Sequence, residues 1–383
     1  MKADYHSRRP KKLLFVVNVD WFLLSHRMPI IEEAARIGYE VHVACKYTKY
    51  REEIGKKGFY THDLSLNRSS TSFLSELKLF NELKGIIKNV KPDIIHLVTI
   101  KPVLYGSIIA KLLSRRSQVV AAISGVGYVF TAEGFIARLK RLFIGNLLKL
   151  GLNRKGVRVI FQNTSDKHIF SSLKLVSDEQ SVLIKGSGVE VNSGQLVIER
   201  ASPTPVFAFM ARLLRDKGIY EFIKAASELK SSQARFVVIG QVDDNPESIK
   251  QFELDHWVEN STIEYWGFSS NPIETIAKVD VLVLPSYREG LPKVLLEAAT
   301  CSKAVITTDV PGCRDAILPN ETGLLVPAKD YLALANAMSQ LIEDERLRQD
   351  MGRKGRLFVE QNFDVKDVVA KHIKLYESLL SNN

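Results

Sequence analysis

Val281-Leu282-Val283-Leu284-Pro285-Ser286-Tyr287-Arg288-Glu289-Gly290-Leu291-Pro292-Lys293-Val294-Leu295-Leu296-Glu297 runs from a short apolar block through a turn into a helical pattern opened by Pro292. An apolar run of four residues closed by turn residues reads as a strand buried on both faces, the kind found in parallel sheets. Pro suits the first helical position, where a missing N–H costs nothing. A strand that passes through a Gly turn into such a helix leaves amide N–H groups of the first turn without helical partners, aimed above the sheet edge, where they attract phosphate. Glu289 and Glu297 bracket that point. Carboxylates repel phosphate, so they read as acceptors for hydroxyl groups on either side of it. Hydroxyls, diphosphate, hydroxyls is the pattern of a nucleotide sugar.

The same scheme extends outward in both directions. In the second half, residues 206–210, 236–239, 262–265 and 304–307 read as further strands, each followed by a helix or a Gly/Pro turn. In the first half, strands are read at 13–19, 40–45, 94–98, 119–123 and 157–161, with helical periodicity at 72–90 and 102–114. Strands alternating with helices build parallel sheets that carry ligands at their carboxyl edges. The expected class is therefore α/β: two Rossmann-like doubly wound domains facing a central cleft. The expected divisions are residues 1–195, residues 196–364, and a C-terminal helix over 365–383 that packs back on the first domain. Gly, Ser and Pro cluster between residues 186 and 205, which marks the join.

Composition narrows the partners. With 383 residues and 45% apolar side chains, two or three globular domains are expected. No window approaches a membrane span, and residues 1–12 lack the apolar run of a leader, so a cytoplasmic protein is expected. Cys45, Cys301 and Cys313 form no paired spacing, which speaks against both a disulfide framework and a zinc site. Residues 1–195 hold 31 Lys and Arg against 16 Asp and Glu, a net +15, while the remainder nets −5. Such asymmetry points to a polyanionic partner, an anionic membrane surface or nucleic acid. No nucleic-acid motif accompanies it, which favours the membrane. Residues 135–150 interleave Arg and Lys with Phe and Leu at helical spacing, fitting either a helix lying on a bilayer or a helix of the first domain with its apolar face in the core.

The strand 206–210 is followed by Arg212 and Lys217, two cations suited to a diphosphate, one forked and one a point charge. Gly240 closes the next strand, and Tyr265-Trp266-Gly267-Phe268 closes another. Arg and Lys, then a Gly turn, then an aromatic-Gly pair, then Glu289 and Glu297, all at carboxyl ends of strands in one sheet, resemble the nucleotide-sugar domain of the retaining GT-B glycosyltransferases of family 4, over residues 206–379. That resemblance implies that Arg212 and Lys217 hold the donor diphosphate, Glu297 the ribose, and Glu289 the transferred sugar. It makes Glu289, Lys217 and Arg212 the catalytic candidates, with Gly240, Gly290, Leu291, Pro292 and Val294 completing the donor site. Residues 238–246, 284–290 and Arg27-Met28-Pro29-Ile30 are similar to bacterial transferases of surface-glycan and protein-glycan assembly, among them the type that adds N-acetylgalactosamine to an undecaprenyl-diphosphate-linked sugar. The implied reaction moves a sugar from a UDP-sugar to a lipid-diphosphate-linked saccharide on the inner face of the cytoplasmic membrane, with no metal and no cofactor.

The first half departs from the family. Its first loop, Asn18 to Arg27, lacks the usual Gly-Gly, and Ser124-Gly125-Val126-Gly127 stands where many relatives carry a His. Acceptor-side candidates are Asp20, His26, Arg27, Ser124, Gly125 and Gly127. Competing readings are a GT-B relative of other activity, such as an epimerase or a transferase to a soluble acceptor, and a nucleic-acid-binding protein. A dehydrogenase is excluded because no Gly-x-Gly-x-x-Gly follows the first strand.

Overall fold

The computed structural model describes residues 9–66, 72–125, 134–191, 204–243 and 245–381, apart from the side chains of residues 136 and 137. Seven strands form the first sheet: β1 (Lys12–Val19), β2 (Glu40–Lys46), β3 (Tyr60–Asp63), β4 (Ile94–Val98), β5 (Gln118–Ile123), β6 (Val157–Phe161) and β7 (Ser181–Leu183). Their spatial order is β3-β2-β1-β4-β5-β6-β7, and all pairs are parallel. Six more form the second: β8 (Val206–Met210), β9 (Arg235–Ile239), β10 (Glu264–Gly267), β11 (Val281–Leu284), β12 (Ala304–Thr308) and β13 (Gly323–Val326). Their order is β10-β9-β8-β11-β12-β13, again all parallel. Each sheet reverses its order beside its first strand, and that reversal opens a crevice at the carboxyl edge.

The chain divides into two compact units, residues 1–184 with 369–383, and residues 185–368. The segment after β7 joins the second unit because Val189 bridges Asp364, its amide donating to Phe363 O at 3.0 Å and its carbonyl accepting from Val365 N at 3.0 Å. The last helix, Val365–Ser381, is continuous, and from Val369 onward it belongs to the first unit. There the Tyr376 hydroxyl meets His96 Nδ1 on β4 at 2.6 Å, with both side chains fully buried.

Packing explains the central strands. All residues of β4, β5, β8, β11 and β12 are buried, so these strands are mainly apolar, and their polar members, His96, Gln118, Thr307 and Thr308, are hydrogen-bonded. In the second unit Phe207 and Phe209 of β8 are at 0% exposure, Phe209 lying against Phe222 with ring centroids 5.8 Å apart. Burial of each ring stabilises the sheet by about 2–3 kcal/mol.

Three strands lie outside the sequence expectation, and all three are short and peripheral. β3 and β7 hold no buried residue, and β13 opens on Gly323 and leaves only Leu324-Leu325-Val326, so none shows the longer apolar run of a central strand. The expected start of the decisive helix also shifts. It spans Lys293–Thr300 with Pro292 as an extended N-cap (φ −73°, ψ 114°), because Pro292 carries the chain out of the turn rather than into the first helical residue.

Candidate functional site

In the second unit, every strand end that borders the order reversal contributes to one constellation. After β8, Arg212 opens the loop and Lys217 ends a short 3-10 turn, with Gly218 behind it at φ +77°. A Cβ on Gly218 would stand 2.1 Å from Pro285 O, so only glycine lets the β8 loop press against the end of β11. Tyr287 fastens the two loops: its amide donates to Asp216 O at 2.9 Å and its hydroxyl to Glu221 Oε1 at 2.8 Å.

That contact brings Lys217 and Glu289 together. Lys217 Nζ lies 2.6 Å from Glu289 Oε1, and the same oxygen accepts from Ser286 Oγ at 2.9 Å. Burial alone would lower the Lys217 pKa, but Glu289 and Asp216 outweigh it and hold the ammonium above its ordinary value. Lys217 is therefore charged at neutral pH, with further N–H donors beyond the one Glu289 takes. Arg212 is more exposed and sits 3.7 Å from Asp243 Oδ2. Asp243 otherwise serves its own turn, accepting from Asn245 N at 2.7 Å.

Glu297 stands in the helix after β11, 8% exposed, with Lys293 Nζ at 3.0 Å from its Oε1. Leu291 and Pro292 are buried, and Val294 is half-buried in the first helical turn, whose amides point toward the carboxyl edge. Gly240 closes β9 with both backbone groups engaged: its amide donates to Gly267 O at 2.9 Å and its carbonyl accepts from Tyr265 Oη at 2.9 Å.

Residues that the sequence reading passed over support this constellation from β12. Gly312 has φ +84°, and a Cβ there would meet Glu289 O at 2.5 Å and Gly290 O at 2.6 Å. Cys313 is fully buried, and burial together with the nearby Glu289 carboxylate pushes its thiol up to about 12, so it is an inert spacer. Thr308 Oγ1 donates to Ser286 O. The available signal was Pro311-Gly312, separated by two residues from the end of a buried strand, the same kind of punctuation that marked the β11 turn.

In the first unit the candidates separate. Asp20 is fully buried at the end of β1 and accepts from Trp21 N, Thr48 N, Thr48 Oγ1, Lys49 N and Tyr50 N at 2.7–3.2 Å. Burial would raise its pKa, but these bonds hold it below the usual carboxylate range. Its oxygens thus fasten the turn after β2. His26 ends the helix Asp20–His26 rather than starting one, stacked on Phe22 at 4.3 Å with Nδ1 at 2.6 Å from Ser25 Oγ. Arg27 is buried and donates through Nη2 to Ser124 Oγ at 3.2 Å, so the structure does join these two. Gly125 follows Ser124 at φ +123°. Gly127 lies outside the described residues.

Comparison with known proteins gives matching families for both halves. Residues 197–358 match the family model of glycosyl transferases group 1, and residues 12–163 match that of glycosyl transferase 4-like proteins. The N,N'-diacetylbacillosaminyl-diphospho-undecaprenol alpha-1,3-N-acetylgalactosaminyltransferase of Campylobacter jejuni is 30% identical over 368 residues, covering 93% of this chain and 96% of that protein. Among solved structures, the sucrose-phosphate synthase of Thermosynechococcus elongatus superposes with a TM-score of 0.80 at 19% identity, covering 97% of this chain and 100% of that one. HepE of Anabaena, solved with UDP-glucose, superposes with a TM-score of 0.74 at 18% identity, covering 97% and 99%.

Proposed function

The chain belongs to the group 1 glycosyl transferases of glycosyltransferase family 4, and from that premise we propose that it moves a sugar from a UDP-sugar to a hydroxyl of a lipid-diphosphate-linked saccharide, retaining the anomeric configuration, in bacterial glycan assembly. The observation that carries this reading is the Lys217–Glu289 pair at 2.6 Å beside the order reversal of the second sheet. A cation and a carboxylate so close serve a ligand that presents phosphate and hydroxyl side by side. An N-acetylhexosamine is the proposed sugar, on the strength of the Campylobacter relative's own activity.

The roles follow from charge. As the bond between sugar and phosphate lengthens, electrons move onto the leaving diphosphate, and groups already positioned to meet that charge lower the barrier. Lys217 and Arg212 supply positive charge, and the first-turn amides of Lys293–Thr300 supply N–H donors at a positive helix end. This arrangement is proposed to work without a metal ion. Glu289, oriented by Ser286 and Lys217, accepts from a hydroxyl of the transferred sugar; Glu297, oriented by Lys293, accepts from the ribose. The acceptor hydroxyl attacks from the face that the diphosphate leaves.

The lipid-linked acceptor calls for a bilayer contact. The helix Phe135–Leu152 buries Leu148 and Leu152 while exposing Phe135, Leu139, Leu142 and Phe143 among Arg138, Lys140 and Lys149. One face of the helix lies in the core, as one sequence reading had it, and the opposite apolar and basic face is exposed. Among the described residues no helix is long and apolar enough to cross a membrane. Peripheral attachment through this face is the proposed arrangement.

Thermal melting with a panel of UDP-sugars tests the donor assignment. The cognate donor at a hundred times its Kd is expected to stabilise the protein by about 2.7 kcal/mol, with no effect in K217A. Melting that no UDP-sugar shifts would refute the assignment.

A further inference from the structure

Among the described residues no carboxylate pairs with the buried cation Arg27. It is 2% exposed at the junction of the helices Asp20–His26 and Met28–Arg36, and its Nε–H has no hydrogen-bond partner. The titratable groups it interacts with, Tyr376 and His96, are both neutral at neutral pH. The Tyr376 hydroxyl is bonded to His96 Nδ1, and His96 stacks on Phe15 at 4.4 Å and on His372 at 5.7 Å. Burial, with His372 and Arg27 adding to it, pushes the His96 pKa well below the ordinary imidazole value. Burial also lowers the Arg27 pKa to about 10, with only Tyr376 opposing, so the guanidinium is still charged at neutral pH. A charge so placed is costly, and exchanging such a group for an apolar one often stabilises a protein. Its presence calls for a use.

The use is visible at Ser124. Arg27 Nη2 donates to Ser124 Oγ at 3.2 Å, which occupies the oxygen as an acceptor and leaves the Ser124 O–H free to donate elsewhere. Ser124 is half-buried and directly follows β5. Thr99 directly follows β4, the adjacent strand, and its buried hydroxyl has no partner among the described residues either. β1, β4 and β5 are the strands at and beside the order reversal of the first sheet, the place where doubly wound sheets take ligands. A hydroxyl polarised by a cation behind it, with a second hydroxyl-bearing residue at the end of the adjacent strand, suits an anionic oxygen.

We propose that Ser124, backed by Arg27 and flanked by Thr99, is a phosphate-binding point of the first unit that takes an oxygen of a diphosphate. Arg27 is then a positioning residue and Ser124 the contact. The inference rests on the reading that the substrates carry diphosphates; both the UDP-sugar and the lipid-linked acceptor do.

Calorimetric binding to the full chain separates the two sources. The probes are UDP and a short-chain prenyl-diphosphate N-acetylhexosamine, offered to wild type, S124A, S124T and R27M. S124A and R27M are expected to bind the prenyl-diphosphate probe about tenfold more weakly. S124T, which keeps the hydroxyl, is expected to bind it like wild type. Weaker binding of UDP instead, with the prenyl probe unaffected, would support the site and assign it to the donor. Unchanged affinity for both probes in S124A would overturn the proposal, whether or not R27M folds. K217A, expected to lose UDP and keep the prenyl probe, reports on the donor reading separately.

Discussion

Lys217 and Glu289 are close enough that each governs the other's placement, and removing either has consequences beyond a lost contact. E289Q keeps shape but loses the charge that anchors Lys217; K217A leaves the Glu289 carboxylate with the Ser286 hydroxyl as its side-chain partner among the described residues. Each is expected to lower kcat about a hundredfold or more, by analogy with removal of one group that stabilises transition-state charge. Steady-state kinetics with the cognate donor would show it, and wild-type turnover in either variant would remove the pair from the mechanism. Gly312 makes a sharper test of the support beneath them. G312V at φ +84°, facing Glu289 O and Gly290 O, is expected to cost about 2 kcal/mol or more in chemical denaturation, together with most of the activity. Asp20 supplies a pH signature. Its folded pKa lies below its unfolded value, so its stabilising contribution is complete above about pH 4 and fades as pH falls through the folded value. D20N is expected to be less stable than wild type at neutral pH and to show a flatter acid limb in melting experiments from pH 7 to pH 3. At this scale the spacing of Arg212, Lys217, Glu289 and Glu297 made the donor-side candidates legible. Ser286, Gly312 and Cys313 were not, because their part depends on how closely the β12 loop approaches the β11 loop, which no local pattern encodes.

At the scale of elements, buried parallel strands announce themselves and peripheral ones do not. β4, β6, β8 and β11 match the runs read from sequence end to end, since strands covered on both faces are dominated by apolar residues, His96 and Arg158 being the polar exceptions. β3, Tyr60-Thr61-His62-Asp63, pairs on one side alone and has no such requirement. The helix Phe135–Leu152 was ambiguous for a related reason: periodicity reports an apolar stripe, not what covers it. Its two faces predict a measurable surface property. The full chain is expected to sediment with anionic liposomes at low salt and to leave them at high salt, and R138E/K140E, both exposed, to abolish sedimentation without altering the melting temperature. Indifference to lipid charge would remove the membrane role from this helix.

At the scale of the molecule, two sheets share one strand order over six strands, the first adding a seventh, yet residues 1–195 carry +15 and the remainder −5. The donor-side constellation sits in the acidic half, where its local cations stand out; the basic half holds the exposed apolar helix and the buried Arg27. The proposed reaction accounts for this division, with a small diffusible donor and an acceptor held at an anionic surface. Sequence alone located the first constellation because it follows a family pattern. The acceptor side resisted because its loops depart from that pattern, and its polar groups meet only when β1, β4, β5 and the last helix are assembled.

The most direct test of the account is the anomeric configuration of the sugar transferred from a UDP-N-acetylhexosamine to a short-chain prenyl-diphosphate saccharide, read from the proton coupling constant at the new linkage with a chelator present. An α-linked product, matching the α-linked donor, is the predicted result. A β-linked product, or no product until a divalent metal is added, would contradict it.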